Sequence, residues 1–581
     1  MASAWLQTCL RGHQSCQVEA DLHHQLPTRV IDVGAGESGI HPHPRLVNGS
    51  DHVGLYVALS YCWGSERLLT FTASNEDQLR SGIPLSEFPP TLRDAVEVTR
   101  SLGYQFLWID ALCIQQDSKA DWDNEAAKMR RVYRGAVVTL SAAAASKASD
   151  GMLYYRSMPL TICRLPWLSS VNSQQSVFLR PAIEVMDQEL RVSVINTRGW
   201  TFQEALLAPR TLWFGREQLI YECSNGQVTE TGHTIQSTEY YRSKDMMRQS
   251  TASRSRLYAS QLLRWLGMPA VVKVPYYTLR RRASLSVRSI LWHQPIFTQG
   301  SLTSQSGRTF SYYDHWCEIV GRYTERNLSY RLDTLPALSG LAEHFARATG
   351  DEYLAGMWKH DLIRCLNWRR EPLLEHRQRA PSYKGCLGRP LDYVAPSWSW
   401  ASVVGGSAEL TTGLQGSRRI WEHARVLKVS VSLETEDPYG RVTGGGLVLC
   451  APFLSISVPH LRPIETTRFP AFQNEMWMLL SSKDNDYHHT FYQHHTLHAD
   501  QEYGLVQTCT TKDTNIDSPA ESLHMIIVET AGQTCRYRRV GHYQLPLSGV
   551  SQKFWVDLGN NKAIREELLG AKWTRRTIEI I

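Results

Sequence analysis

Apolar and polar positions alternate over residues 53–61, placing Val53, Leu55, Val57, Leu59 and Tyr61 on one face. A period of two rich in Val and Tyr predicts a half-buried strand. From Thr91 the period changes. Leu92, Ala95, Val96, Thr99 and Leu102 follow helical spacing, with Thr91 as the expected N-cap, Asp94 at N3 and Gly103 as the stop. Phe106-Leu107-Trp108-Ile109 is short and wholly apolar, which predicts a buried strand. Over 119–134, Trp122, Ala126, Met129 and Tyr133 mark one face of a helix. Val137-Val138-Thr139-Leu140 predicts a further buried strand, and Arg29–Val33 a short one. Strands alternating with helices predict an α/β domain with a parallel sheet.

Beyond this block the pattern is less regular. Gln203–Leu207 reads as a short helix and Leu212–Cys223 as one strand. Residues 224–310 mix Ser, Arg and Thr and read in part as a surface insertion. Trp316, Ile319, Val320 and Tyr323 return to helical spacing. From about residue 420, short strands are expected at 425–433, 446–449, 525–528 and 537–545, separated by turn signals such as Asp437-Pro438-Tyr439-Gly440. The expected layout is a lead-in (1–50), the α/β domain (51–223) and a basic, partly disordered insertion (224–312). A helical accessory region (313–405) and a β-rich C-terminal region (406–581) follow.

Composition narrows the function classes. The 581 residues carry 62 Lys/Arg against 56 Asp/Glu, with 42% hydrophobic and 20% charged positions. That supports a large core without disulfides or metals, and the length suits two to four domains. Twelve cysteines are too sparse for a disulfide scaffold and point to a reducing, cytoplasmic setting. No apolar stretch of about 18 residues occurs, so no membrane span is expected. The start lacks the apolar core of a secretory leader. The net charge of +6 is concentrated in residues 241–300, which hold eleven Lys/Arg and one acid, so the chain as a whole does not read as a nucleic-acid binder.

Four clusters carry candidate chemistry. Ser60-Tyr61-Cys62-Trp63-Gly64 closes the first strand of the block and Asp110 closes the next. Ligands of parallel sheets bind outside the carboxyl ends of strands, so Ser60 and Asp110 would share a rim. A strand-end Asp also caps loops, and both readings stay open. Glu125 lies in Asp121-Trp122-Asp123-Asn124-Glu125 at a helix start, where the dipole stabilises a carboxylate. Half-shielded by Trp122, it would instead have a raised pKa and act as acid, base or nucleophile. In Arg198-Gly199-Trp200-Thr201-Phe202-Gln203-Glu204 the aromatics read as packing, and Arg198 with Glu204 as an ion pair across a turn. Cys9, His13 and Cys16 form C-x3-H-x2-C, three ligands with His23 or His24 available as a fourth. Without a second cysteine pair no metal site is assigned. His488, His489, His494, His495 and His498 read as a solvated loop, and Arg280-Arg281-Arg282-Ala283-Ser284 as an exposed basic loop with a phosphorylation candidate at Ser284. No G-x-S-x-G, P-loop or H-E-x-x-H motif is present.

The order of these motifs resembles the fungal heterokaryon-incompatibility (HET) domain family. The resemblance rests on Tyr56–Gly64, Pro90–Ala95, Leu107–Asp117, Asp121-Trp122, Glu125, Met129, Tyr133 and Arg198–Glu204. Trp5, Cys9, His13 and Cys16 resemble a lead-in seen in larger members. So do Asp333–Gly340, Ala355–Trp358 and Ala395-Pro396-Ser397-Trp398-Ser399-Trp400-Ala401 further on. The resemblance implies a cytoplasmic protein of non-self recognition that triggers cell death, partnered by its own copies or by another incompatibility protein. HET domains are distantly similar to TIR domains, which implies a TIR-like, flavodoxin-like parallel sheet. By the same analogy Glu125 is the candidate catalytic residue of an NAD hydrolase, NAD being a substrate and no cofactor implied. Ser60, Trp63, Asp110, Cys113, Arg198, Trp200 and Glu204 are the expected pocket residues. An enzyme of a biosynthetic pathway unrelated to incompatibility is the remaining alternative.

Overall fold

A computed structural model describes residues 1–13, 16, 25–34, 43–66, 68–153, 163–168, 174–179, 193–232, 234–236, 301–303, 309–371, 392–403, 407–410, 418–456, 461–463, 476–479, 489–493, 502–513, 521–532, 535–548 and 570–581. His23, His24, the run 280–284 and His488, His494, His495 and His498 lie outside the described residues. The chain divides into two compact units, Met1–Asn196 with Glu204–Pro295, and Thr197–Gln203 with Ile296–Ile581. No described helix is long and apolar enough to cross a membrane.

The strands of the first unit are β1 (Arg29–Asp32), β2 (Arg45–Asn48), β3 (Tyr56–Ser60), β4 (Phe106–Trp108), β5 (Val138–Ser141), β6 (Cys163–Leu168), β7 (Gln174–Leu179), β8 (Arg210–Phe214), β9 (Leu219–Cys223), β10 (Gly226–Thr229) and β11 (Thr234–Gln236). Among the described residues β6 and β7 pair only with each other, and the other nine form one sheet in the order β11-β10-β9-β8-β5-β3-β4-β1-β2. Only its centre is parallel: β3 pairs β4 and β5, and β5 pairs β8, all parallel. β1, β2, β9, β10 and β11 run antiparallel at the flanks. The expected parallel sheet is thus a mixed one, because short hairpins can extend its edges without a helical crossover.

The helices are α1 (Ala2–Gly12), α2 (Glu76–Ser81), α3 (Pro90–Ser101), α4 (Asp110–Cys113), α5 (Lys119–Gly135) and α6 (Trp200–Leu207). The chain passes from β3 to β4 through α3, then back over β3 to β5 through α5. Right-handed crossovers in opposite directions place α3 and α5 on opposite faces. This covering explains β3: all five residues are buried, while Val53 is exposed and outside the strand. The alternation of 53–61 therefore does not mark a half-buried strand. Nor is Thr91 the N-cap. α3 starts at Pro90, which suits the first turn because it needs no donor there. Thr91 Oγ1 instead accepts from Gly151 N at 3.2 Å, and Asp94 from Met152 N at 2.7 Å. The run 212–223 is two strands, broken by a turn in which Gly215 N donates to Gln218 O at 3.2 Å.

The second unit is built differently. Its helical part buries Trp316, Trp358, Trp368, Trp398 and Trp400 almost completely. Gly356 O accepts from Trp316 Nε1 at 2.9 Å and Trp400 Nε1 at 2.8 Å. Gly356 has φ +96°, and a Cβ there would meet Trp400 Nε1 at 2.6 Å, so glycine is required. In the β-rich part, Val442–Ile456 pairs Tyr503–Asp513, which pairs Glu521–Thr530, which pairs Arg536–Ser548. Thr574–Ile580 pairs both Arg536–Ser548 and Val442–Ile456 and so closes a five-stranded ring. Closure removes open edges from those strands.

Candidate functional site

In chain order the four parallel strands lie across the sheet as second, first, third, fourth. The crossovers from β3 to β4 and from β4 to β5 run in opposite directions, so the carboxyl ends of β3 and β5 flank a topological switch point. Ser60 and Ser141 are the last residues of those strands and are register partners.

Ser60 Oγ donates to Glu204 Oε2 at 2.5 Å. Both residues are buried, and Glu204 arrives from α6. Tyr133, on α5, donates to Leu59 O at 3.1 Å. Burial, and then the negative charges of Glu204 and Asp110, raise its phenol well above the usual range, so it stays a proton donor. The buried hydroxyls of Ser141 and Thr139, two residues apart on one face, have no hydrogen-bond partner among the described residues. Burying a hydroxyl without a partner is costly.

Beside this pair, Trp63 Nε1 donates to Asp110 Oδ2 at 2.9 Å, and Asp110 Oδ1 accepts from Ala111 N at 2.6 Å. Gly64 after Trp63 has φ +82°, and a Cβ there would lie 2.5 Å from Lys147 Cβ. The turn that presents Trp63 therefore needs glycine twice over, for its backbone angle and for close approach. Cys113 is buried, and burial pushes its thiol up to about 12, so it is no nucleophile at neutral pH.

The remaining expected residues have other partners. Glu125 is 2% exposed, and its Oε1 accepts from Thr28 Oγ1 at 2.9 Å and Lys128 Nζ at 2.9 Å. Arg198 and Trp200 group with the second unit, where Arg326 donates to Arg198 O at 3.2 Å and Trp200 Nε1 to Asp333 Oδ2 at 3.1 Å. Gly199 between them allows Leu328 to approach: a Cβ there would lie 2.3 Å from Leu328 Cδ2. Sequence reasoning missed Tyr133, taken for an apolar-face residue, and Ser141. Their signal was position: a phenol facing the strand end on α5, and a hydroxyl closing the third strand.

Residues 56–204 match the family described as Heterokaryon incompatibility protein (HET). The chain carries a HET domain. The match opens with β3 and ends at Glu204, so the Ser60–Glu204 contact joins its two ends. The domain suggests a heterokaryon-incompatibility-related role. No curated protein and no solved structure matches the chain.

Proposed function

We propose that this HET-domain protein is a cytoplasmic effector of fungal non-self recognition that triggers cell death through regulated self-association of a TIR-like domain. The order second, first, third, fourth of its parallel strands supports the TIR-like reading, since flavodoxin-like sheets share it. The observation that carries the proposal is the Ser60–Glu204 contact, because it draws the first and last HET motifs into one strand-end rim.

A second reading, cleavage of NAD at that rim, is favoured by the buried carboxylate of Glu204 beside the unsatisfied Ser141 hydroxyl of the neighbouring strand end. In that reaction the bond between ribose C1′ and the nicotinamide nitrogen breaks, and its electron pair leaves with nicotinamide. A carboxylate faces the ribosyl cation, and water adds at C1′ and loses its proton to that carboxylate. Glu204 lies at this rim, where it accepts from Ser60, whereas Glu125 faces Lys128 and Thr28.

The test is expression of the full chain in a heterologous host, reading death, assembly size and NAD for wild type, Glu204→Gln and Glu125→Ala. Death with assembly and constant NAD supports self-association. NAD loss that Glu204→Gln abolishes supports cleavage at the rim. NAD loss abolished by Glu125→Ala alone moves the chemistry to α5. Death with neither assembly nor NAD loss overturns both readings.

A further inference from the structure

We propose that Cys9, His13, Cys16 and Cys223 form a structural zinc site that clamps the two flanks of the HET domain together. The four ligand atoms all lie within 4.8 Å of one another. His13 Nδ1 is 3.9 Å from Cys16 Sγ and 3.6 Å from Cys223 Sγ. Tetrahedral zinc, with Zn–S of about 2.3 Å and Zn–N of about 2.05 Å, requires N···S separations of about 3.6 Å and S···S of about 3.8 Å. The ligands are thus close to coordinating distance, in a three-sulfur, one-nitrogen set common in structural zinc sites.

Local structure explains how they meet. Cys9 lies in the last turn of α1 and His13 is its C-cap, with His13 N donating to Cys9 O at 3.1 Å. Cys16 N donates to His13 O at 3.1 Å, which folds the chain back toward the helix end. Cys223 ends β9, and the turn Ser224-Asn225 follows it. Asn225 Nδ2 lies 3.3 Å from His13 Nε2. With Nδ1 on a metal, Nε2 carries the proton, and a flipped Asn225 amide offers its oxygen to receive it.

Charge gives a second, independent argument. Arg210 is 2% exposed. It donates from Nε to Cys9 Sγ at 3.3 Å, from NH1 to Val137 O at 3.2 Å, and from NH2 to Cys16 O. None of these partners is a carboxylate, and among the described residues Arg210 has no ion pair. A buried guanidinium needs a counter-charge. Zinc with three thiolates and a neutral imidazole carries a net charge of −1 and supplies it. The other group of this kind, Cys317, Asp361 and Cys365, differs on both counts. It has three members, and Asp361 is already matched by Arg364, at 2.7 Å to each oxygen.

Sequence spacing supplies three of the ligands and leaves His23 or His24 for the fourth. In space the fourth is Cys223. Residues 9–16 and 223 fall on either side of the matched segment 56–204, so the metal ties together what precedes and follows it.

The experiment is metal analysis of the full chain, purified under reducing conditions without chelator from zinc-supplemented medium, with X-ray absorption at the zinc edge. About one zinc per chain is expected, in a shell of three sulfurs and one nitrogen. Cys223→Ser is expected to lower zinc content tenfold or more, and Cys365→Ser to leave it unchanged. Should Cys223→Ser prove insoluble, His13→Cys decides: it is expected to keep the zinc with a four-sulfur shell. Zinc below about a tenth of an equivalent in wild type overturns the proposal, as does a disulfide between any two of the three cysteines. A shell of two sulfurs and two nitrogens overturns the assignment of Cys223.

Discussion

The two ends of the central sheet in the first unit solve opposite problems. At the carboxyl ends of β3 and β5 stand Ser60, Ser141 and Tyr133 with the Glu204 carboxylate, a buried negative group with hydroxyls around it. At the amino ends of β5 and β8 stands Arg210, a buried positive group facing sulfur and carbonyl oxygen. The first set lies within the matched HET segment, while the sulfur ligands of the second lie outside it. The difference teaches a division of labour. Open α/β sheets place ligands at carboxyl ends, where loops converge on a switch point. The opposite end is left to hold the flanks in place. A domain recognised by its motifs thus depends on residues the motifs do not include.

This comparison is sharpest where one end is broken and the other read. Arg210→Ala carries the largest expected effect. It removes the counter-charge of the cysteine cluster and leaves Val137 O and Cys16 O without that donor, costing about 3–5 kcal/mol. Thermal unfolding followed together with zinc content checks it, and a wild-type melting temperature with full zinc would contradict the charge argument. Gly64→Ala comes next, at about 1–3 kcal/mol, from a Cβ at positive φ against Lys147. It is expected to disturb Trp63 and Asp110 and to weaken the proposed cell-death activity while leaving zinc bound, as cell-death assays beside metal analysis would reveal.

Glu204→Gln is expected to cost about 1–2 kcal/mol, by replacing a charged acceptor of the Ser60 hydrogen bond with a neutral one. On the NAD-cleavage reading it is also expected to abolish NAD loss with the zinc retained. NAD loss persisting in a folded Glu204→Gln protein would remove the rim from that chemistry. Glu125→Gln is the mildest, at about 1 kcal/mol or less, because its partner Lys128 is 37% exposed and solvent screens the pair. The proposed cell-death activity is expected to survive it. Its loss in a protein of unchanged melting temperature would restore Glu125 as the catalytic candidate.

Much of the first unit could be read from periodicity. β3, α3, β4, α5 and β5 follow in the expected order, because short apolar runs and helical spacing mark which segments are strand and which are helix. The rim was partly legible too. Ser60, Trp63, Asp110 and Glu204 all stand in motifs, and the structure joins Ser60 to Glu204 and Trp63 to Asp110. Other features were not legible. Val53 continues an alternation that the strand does not follow, since burial on both faces of β3 is set by α3 and α5 rather than by the strand's own pattern. Thr91 looks like a cap, yet its hydroxyl finds Gly151 N, a partner far away in sequence.

What the sequence determined by itself was local: which segments are helix or strand, which glycines permit the turns, and which motifs mark a HET domain. What only the tertiary structure decided was which distant groups meet. Residues 212–223 read as one strand because apolar positions lie on both sides of Gly215, and a turn of a few residues leaves little trace in a period. That turn returns Cys223 to Arg210, its register partner, and so to Cys9, His13 and Cys16. The physical reason is that a period reports contacts within a segment. A charge balance or a ligand set depends on contacts between segments, and those exist only once the chain has closed on itself.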